Sequence, residues 1–403
     1  MTIDTQTILE QTDKFGAPNY HPLPVVIREG RGVWVWDTEE NKYIDCISGY
    51  SALNQGHCHP RIYHALIQQA QKLTLTSRGV YNDQMALFLE KICHLTQMET
   101  GLPMNTGAEA VETAIKAMRK WGYEHKKLPE GKAEIIVAHN NFHGRTSTII
   151  SFSDDDISRA GFSPYMPGFK MVPFGDIAAL ESAITKNTVG VLLEPIQGEA
   201  GVMIPPEGFL SAVRALCNRH DILLTWDEIQ TGLGRTGKLF AYEHEANAKP
   251  DLLLLGKALS GGMYPVSIVV GKRDVLQVFS PGTHGSTYGG NPLGMAVAVA
   301  ALDVVIDERL VDNAREMGDI FREDLRAISS PIIEAVRGKG LMNAIDIDPR
   351  AGTPRDFCEK LLAVGVIAKD THEKTIRFLP PLIITEPELE WLVKRIRIVF
   401  EGE

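Results

Sequence analysis

Through the middle of the chain, short apolar runs alternate with stretches whose apolar residues recur at helical spacing. EIIVA at 134–138, VGVLL at 189–193, ILLT at 222–225, LLLL at 252–255 and SIVV at 267–270 read as strands. Residues 177–186 and 208–220 read as helices between them, and Phe209, Leu210, Val213 and Leu216 give the second an apolar face to lay on a sheet. Strands alternating with helices in this way predict a mostly parallel sheet flanked by helices. Ahead of it, polar-apolar alternation in GVWVWD at 32–37 and KYIDC at 42–46 predicts a small antiparallel element.

A second pattern follows the glycine-rich stretch 282–292. A long helix is expected from Pro292 to about residue 308, with proline at the first turn where its missing N–H costs nothing. Strand-like 341–347, helical 355–364 and strand-like 375–378 come after it. The expected division is an N-terminal segment over 1–50, a large domain over 51–297 and a smaller C-terminal α/β domain over 298–403. No internal repeat or low-complexity linker interrupts it.

Composition narrows the class. The 403 residues are 44% hydrophobic and 23% charged, which excludes a disordered or fibrous chain. With 41 basic against 51 acidic residues and no dense Lys/Arg cluster, no nucleic-acid or anionic-membrane partner is expected. Cys46, Cys58, Cys93, Cys217 and Cys358 are scattered and form no C-x-x-C pair, so they read as reduced thiols. The polar first 16 residues and the lack of any run of 18 apolar residues predict a cytoplasmic protein that does not span a membrane.

Candidate chemistry gathers at strand ends. Lys257 follows the run LLLL, where partial desolvation would lower its pKa and sharpen it as a nucleophile toward carbonyls, as a Schiff-base lysine requires. Taken alone, a lysine there more often snorkels to solvent. Asp227 ends the run ILLTWD and would share a crevice with Lys257, since open α/β sheets bind ligands beyond the carboxyl ends of their strands. A carboxylate there suits a pyridinium nitrogen, although a helix cap or a surface ion pair is the commoner use. In NTGAEAVETA, Thr106 and Glu109 form a capping box, so the amides of Gly107 and Ala108 would meet an anion at the positive end of the helix. The stretch 282–292 fits a phosphate-gripping loop, through Ser286 and Thr287, and a flexible connection equally well.

Two tempting motifs are set aside. GLGRTG at 232–237 matches a dinucleotide fingerprint, but DEIQT separates it from its strand, and Asp251 precedes the next strand instead of ending it. His57-Cys58-His59 looks metal-binding, yet adjacent residues alternate sides and no distant partner spacing supports zinc.

Together the segments resemble the class III aminotransferase family of pyridoxal-phosphate (PLP) enzymes, and within it the members that act on ornithine. The shared motifs span most of the chain in one order: GHCHPRI, NTGAEAVETA, NFHGRT, EPIQGEAGV, DEIQTGLGRTG, LLGKALSGGMYPVS, HGSTYGGNPLG, VRGKGL and IRFLPPL. The resemblance implies a fold type I transferase with Lys257 as the Schiff-base lysine, Asp227 on the ring nitrogen, Phe142 stacked on the ring and Gln230 beside the phenolic oxygen. It implies that Thr106, Gly107 and Ala108 bind phosphate within one subunit while Ser286 and Thr287 reach it from the neighbour, hence a homodimer with shared sites, with assembly beyond the dimer left open. Tyr20, Arg145, Glu199 and Arg377 would select substrates, with Tyr50 shaping the wall. In that scheme Tyr20 and Arg145 grip the ornithine α-carboxylate, and a closed Glu199–Arg377 pair opens to let glutamate, the partner of 2-oxoglutarate, bind. Within NFHGRT, His143 stands where some ornithine-acting members carry a bulkier aromatic, which bears on local pocket shape and not on the mechanism. Acetylornithine or 4-aminobutyrate as substrate, a nicotinamide oxidoreductase and a cofactor-free binding protein remain as alternative readings.

Overall fold

The computed structural model describes residues 4–402 and places their strands in three sheets. Near the N-terminus lie β1 (Ile27–Arg31), β2 (Trp34–Asp37) and β3 (Lys42–Asp45). The central strands are β4 (Thr100–Met104), β5 (Glu134–Ala138), β6 (Phe169–Val172), β7 (Thr188–Leu193), β8 (Leu223–Asp227), β9 (Leu252–Leu255) and β10 (Ser267–Gly271). Toward the C-terminus follow β11 (Ile333–Lys339), β12 (Met342–Ile347), β13 (Val366–Ile367), β14 (Lys369–Thr371) and β15 (Thr375–Phe378).

The large sheet has the order β4-β10-β9-β8-β7-β5-β6. Strands β5 to β9 pair in parallel, and β10 runs antiparallel to both β9 and β4. Every residue of β7, β8, β9 and β10 is buried, because alternate side chains meet helices on opposite faces. Val191, Leu224, Trp226, Leu253 and Leu255 pack with Phe209, Val213 and Leu216 of the helix Phe209–Arg219. On the other face Leu192, Leu223, Leu252 and Leu254 pack with Val111, Ala114, Ile115 and Met118 of the helix Gly107–Glu124.

The mostly parallel sheet flanked by helices is therefore present, with small shifts in its parts. Strand β8 continues two residues beyond the expected end and takes in Asp227, and the helix expected over 177–186 ends at Ala183.

A four-stranded sheet, β11-β12-β15-β14, is backed by the helices Leu310–Arg326, Pro354–Ala363 and Glu386–Glu401. The N-terminal strands join this region, since β13 pairs in parallel with β3 and Ile44 and Cys46 share a core with Val366, Leu389 and Ile396. The helix Pro292–Asp307 serves both regions: Met295, Ala298 and Leu302 face the large-sheet core, while Val297, Ala301 and Val304 face the other. No described helix is long and apolar enough to cross a membrane.

Both rejected motifs have structural employment. Arg235 of GLGRTG is fully buried and donates to Ser51 Oγ, Asn54 Oδ1 and the carbonyls of Leu341 and Pro380, at 2.6 to 2.9 Å. Asp251 instead pairs with Arg214 and Lys272. His57 bonds Asp45 at 2.8 Å and His59 bonds Glu308 at 3.2 Å, and no metal-binding group of three ligands occurs among the described residues.

Candidate active site

Adjacent parallel strands bring Asp227 and Lys257 together. Asp227 is the last residue of β8 and pairs in register with Leu254 of β9, three residues before Lys257. A cavity of about 200 Å³ opens there, lined by Phe142, Glu194, Glu199, Asp227, Gln230 and Lys257 among others. This is the crevice outside the carboxyl ends of the strands where open α/β sheets bind ligands.

Lys257 starts the turn Lys257–Ser260 with a left-handed backbone, φ 46°, a strained choice for a residue with a Cβ. The bond from Leu259 N to Gly256 O, 2.9 Å, closes that turn. Burial lowers the pKa of the amine, and Glu199 and Asp227 only partly offset it. Among the described residues Lys257 Nζ has no carboxylate within 4.0 Å. Across the cavity, Asp227 Oδ1 accepts from Ile229 N at 3.0 Å and Oδ2 meets His143 Nδ1 at 2.7 Å. Glu194, at the end of β7, accepts from Phe142 N at 3.1 Å, and burial pushes its carboxyl up to about 7. Sequence reasoning passed over Glu194, although the strand-end rule that singled out Asp227 applies equally to it.

The capping box is formed in full. Thr106 Oγ1 accepts from Glu109 N at 3.3 Å, and Glu109 Oε2 accepts from Thr106 N at 2.7 Å and Asn105 N at 3.1 Å. Gly107 lines the cavity, and a Cβ there would come within 3.1 Å of Ile229. Its amide and that of Ala108 are first-turn donors with no acceptor inside the helix. The glycine-rich loop is tied to this corner: Asn105 Nδ2 donates to Ser286 Oγ at 2.8 Å, as does Gly289 N at 3.1 Å. Thr287 is exposed.

Opposite the cradle, Arg377 grips Glu199 with two bonds of 2.8 and 2.9 Å and also donates to Gly198 O at 3.0 Å. Burial opposes the charge on Glu199, but the Arg377 guanidinium outweighs it and holds the carboxyl down to about 2. Gln230 Nε2 donates to Glu199 Oε1 at 3.0 Å and to Tyr50 O at 3.2 Å, while its Oε1 is buried without a partner. Tyr50 is half-buried, which raises the pKa of its phenol. Arg145 lies 5.7 Å from the Tyr20 ring and 5.8 Å from the Phe142 ring, in cation–π range. Tyr20 itself is 65% exposed.

These residues fit pyridoxal phosphate. A desolvated amine suits its aldehyde, the Gly107–Ala108 amides suit its phosphate, Asp227 suits its ring nitrogen and Phe142 offers an aromatic face. The fold and the site define a PLP-dependent aminotransferase. The chain belongs to the class-III aminotransferase family, whose model matches residues 15–400. It is 56% identical over 395 residues to an ornithine aminotransferase of Brevibacillus brevis, covering 98% of each chain. Among solved structures it is similar to the ornithine aminotransferase of Toxoplasma gondii, with a TM-score of 0.97, 44% identity and coverage of 99% of this chain and 94% of that one. It is also similar to the acetylornithine aminotransferase of Elizabethkingia anophelis, with a TM-score of 0.89, 47% identity and full coverage of both.

Proposed function

We propose that this chain transfers the δ-amino group of L-ornithine to 2-oxoglutarate. The products are glutamate and glutamate 5-semialdehyde, which cyclises to pyrroline-5-carboxylate. The observation that carries this reading is the closed Glu199–Arg377 pair, with Arg145 near the ring of the cavity residue Phe142 and without a carboxylate partner among the described residues. A free guanidinium beside the Tyr20 ring suits an α-carboxylate, and gripping ornithine by that end leaves its δ-amine toward Lys257.

Bound PLP supplies the electrophilic carbon and the electron sink of the reaction. Gly107 and Ala108 bind its phosphate through backbone amides at the helix N-terminus. Asp227 holds a proton at the ring nitrogen by ion pairing. Lys257 Nζ, whose proton affinity burial lowers, would hold the cofactor's aldehyde carbon and move a proton at the substrate's reacting carbon. Glutamate poses a different problem, because it must react at its α-amine while carrying two carboxylates. The Glu199–Arg377 pair solves it by opening, so that Arg377 takes the α-carboxylate and Arg145 the side-chain carboxylate.

In this reading the enzyme is a cytoplasmic homodimer in which Ser286 and Thr287 complete the neighbour's phosphate site. Residues 51–297 form the cofactor-binding unit, and residues 298–403 a smaller one that contributes Arg377.

The direct test is a comparison of amino donors. Purified protein should be yellow, bleach with ornithine and recover with 2-oxoglutarate, with acetylornithine, lysine and 4-aminobutyrate much slower. Faster bleaching by acetylornithine would overturn the choice of substrate. Tyr20→Phe should lower kcat/KM for ornithine about tenfold, the worth of one hydrogen bond of about 1.4 kcal/mol, and leave glutamate within about twofold. Equal losses would remove Tyr20 from the ornithine site.

A further inference from the structure

The backbone around Tyr50 is strained. Ser48, Gly49, Tyr50 and Ser51 are all left-handed, with φ of 48°, 56°, 57° and 75°. Only glycine adopts that region freely, and left-handed residues normally occur singly, so four in succession need support from their surroundings. Asp45 Oδ1 supports the entry, accepting from Ile47 N and Ser48 N at 2.9 Å each. The half that carries Tyr50 is held from farther away. Gln230 Nε2 donates to Tyr50 O at 3.2 Å, and Arg235 Nε donates to Ser51 Oγ at 2.6 Å.

Arg235, in the motif GLGRTG after β8, is fully buried, and all its acceptors are neutral among the described residues. A buried charge without a counter-ion is costly, and an apolar side chain would fill the same space with less penalty. What requires a guanidinium here is its planar fork of donors. On one side the fork closes a cycle: Nε donates to Ser51 Oγ, Ser51 Oγ donates to Asn54 Oδ1 at 3.1 Å, and Nη2 donates to the same oxygen at 2.7 Å. On the other side Nη1 donates to Leu341 O at 2.9 Å and to Pro380 O at 2.6 Å. Leu341 directly precedes β12, and Pro380 closely follows β15, in which Arg377 pairs in register with Ala344 of β12. The backbone reinforces both sides, since Leu341 N donates to Arg235 O at 3.0 Å and Leu382 N to Asn54 O at 2.7 Å. One side chain thus ties the turn of Tyr50 and the strand of Arg377 to the segment that follows Asp227 on the large sheet.

We infer that Arg235 is a positioning residue for substrate: without lining the cavity itself, it fixes Tyr50 and Arg377 relative to each other and to the crevice of Asp227 and Lys257. The inference rests on the proposed placement of Tyr50 and Arg377 in the substrate site.

The test compares Arg235→Lys, which keeps the charge and loses the fork, with Ser51→Gly, which removes one anchor and is unstrained at φ 75°. For each holoenzyme, KM and kcat for ornithine and for glutamate are read beside the Kd for PLP. Arg235→Lys should raise KM for both substrates at least about fivefold, with kcat within about threefold and PLP affinity within about twofold. A purely structural role would differ: partial loss of folded protein lowers the apparent kcat and leaves KM alone. Ser51→Gly should raise KM for ornithine about threefold. Wild-type KM values in Arg235→Lys, a fall in kcat alone, or a loss of PLP affinity as large as the rise in KM would overturn the inference. Should Arg235→Lys not fold, Ser51→Gly decides, and an unchanged KM for ornithine there counts against the role. Tyr50→Ala and Arg377→Ala separate the two assignments. Wild-type KM values in both sink the placement of those residues, whereas raised values there with Arg235→Lys at wild-type values sink only the role of Arg235.

Discussion

Arg377 is 1% exposed, and the carboxylate that neutralises it is Glu199. Replacing Glu199 by Gln leaves a buried guanidinium with the Gly198 carbonyl and an amide in place of a charge. Breaking a buried pair from one side costs about 3–5 kcal/mol, and because Glu199 retains some solvent contact the lower end is expected in urea unfolding. The kinetic consequence is selective. With the pair permanently open, kcat/KM for ornithine should fall at least about tenfold relative to that for glutamate, since the closed pair serves only ornithine; a parallel fall in both would remove the gate. The pH dependence has a definite sign. Glu199 is held down to about 2 from an ordinary 4.5, so its contribution to stability is whole above pH 4.5 and is lost as the pH falls toward 2. At this scale residue types and strand ends were readable, which is how Lys257 and Asp227 stood out. The partners were not: Glu199 meets Gln230 across 31 positions, and His143 meets Asp227 across 84. No local spacing records such contacts.

A helix N-terminus binds phosphate only as well as its first turn is held. Thr106 and Glu109 fix that turn reciprocally, so Thr106→Ala should cost about 1 kcal/mol of stability. It should also weaken both PLP and inorganic phosphate, because the amides of Gly107 and Ala108 lose their fixed direction. Calorimetry of the apoprotein and phosphate titration check the two parts separately; a stability loss with unchanged phosphate affinity would place the anion elsewhere. Elements with strong local signals match their expected bounds, as β5, β9 and β15 do. Those without one were missed. Strand β4, TGLPM, carries Gly and Pro and exists because β10 pairs along its whole length. Strand β13 is two residues long and is held by β3. The helix Leu310–Arg326 is a different case: Leu310, Ala314, Phe321 and Leu325 mark a readable apolar face that was passed over.

Over the whole molecule, the surface left uncovered points to a second copy. Tyr63, Ile67, Leu73, Val80, Tyr81, Leu87 and Tyr288 are exposed large apolar side chains, with Tyr81 97% exposed. They concentrate in residues 60–90 and beside the glycine-rich loop, where Asn82 Nδ2 donates to Gly290 O at 3.1 Å. Monomeric proteins seldom leave apolar patches larger than a few hundred Å² in water. A neighbour covering this region would approach the loop that carries Ser286 and Thr287, which is the geometry a shared phosphate site requires. The chain should therefore run in solution at twice its 44.5 kDa mass. Placing a carboxylate at the centre of the contact, as in Val80→Asp with Tyr81→Asp, should split it, because burying unpaired charge costs several kcal/mol. The separated chains should keep their fold by circular dichroism, since both residues are exposed and hold none of the cores together. On the proposed shared site they should bind PLP at least about tenfold more weakly, without the neighbour's Ser286 and Thr287 hydroxyls. Sedimentation together with PLP titration decides the point: a monomeric wild type, or a monomeric variant with undiminished PLP affinity, would mean that each chain completes its own phosphate site, with Ser286 serving the cradle it already touches through Asn105.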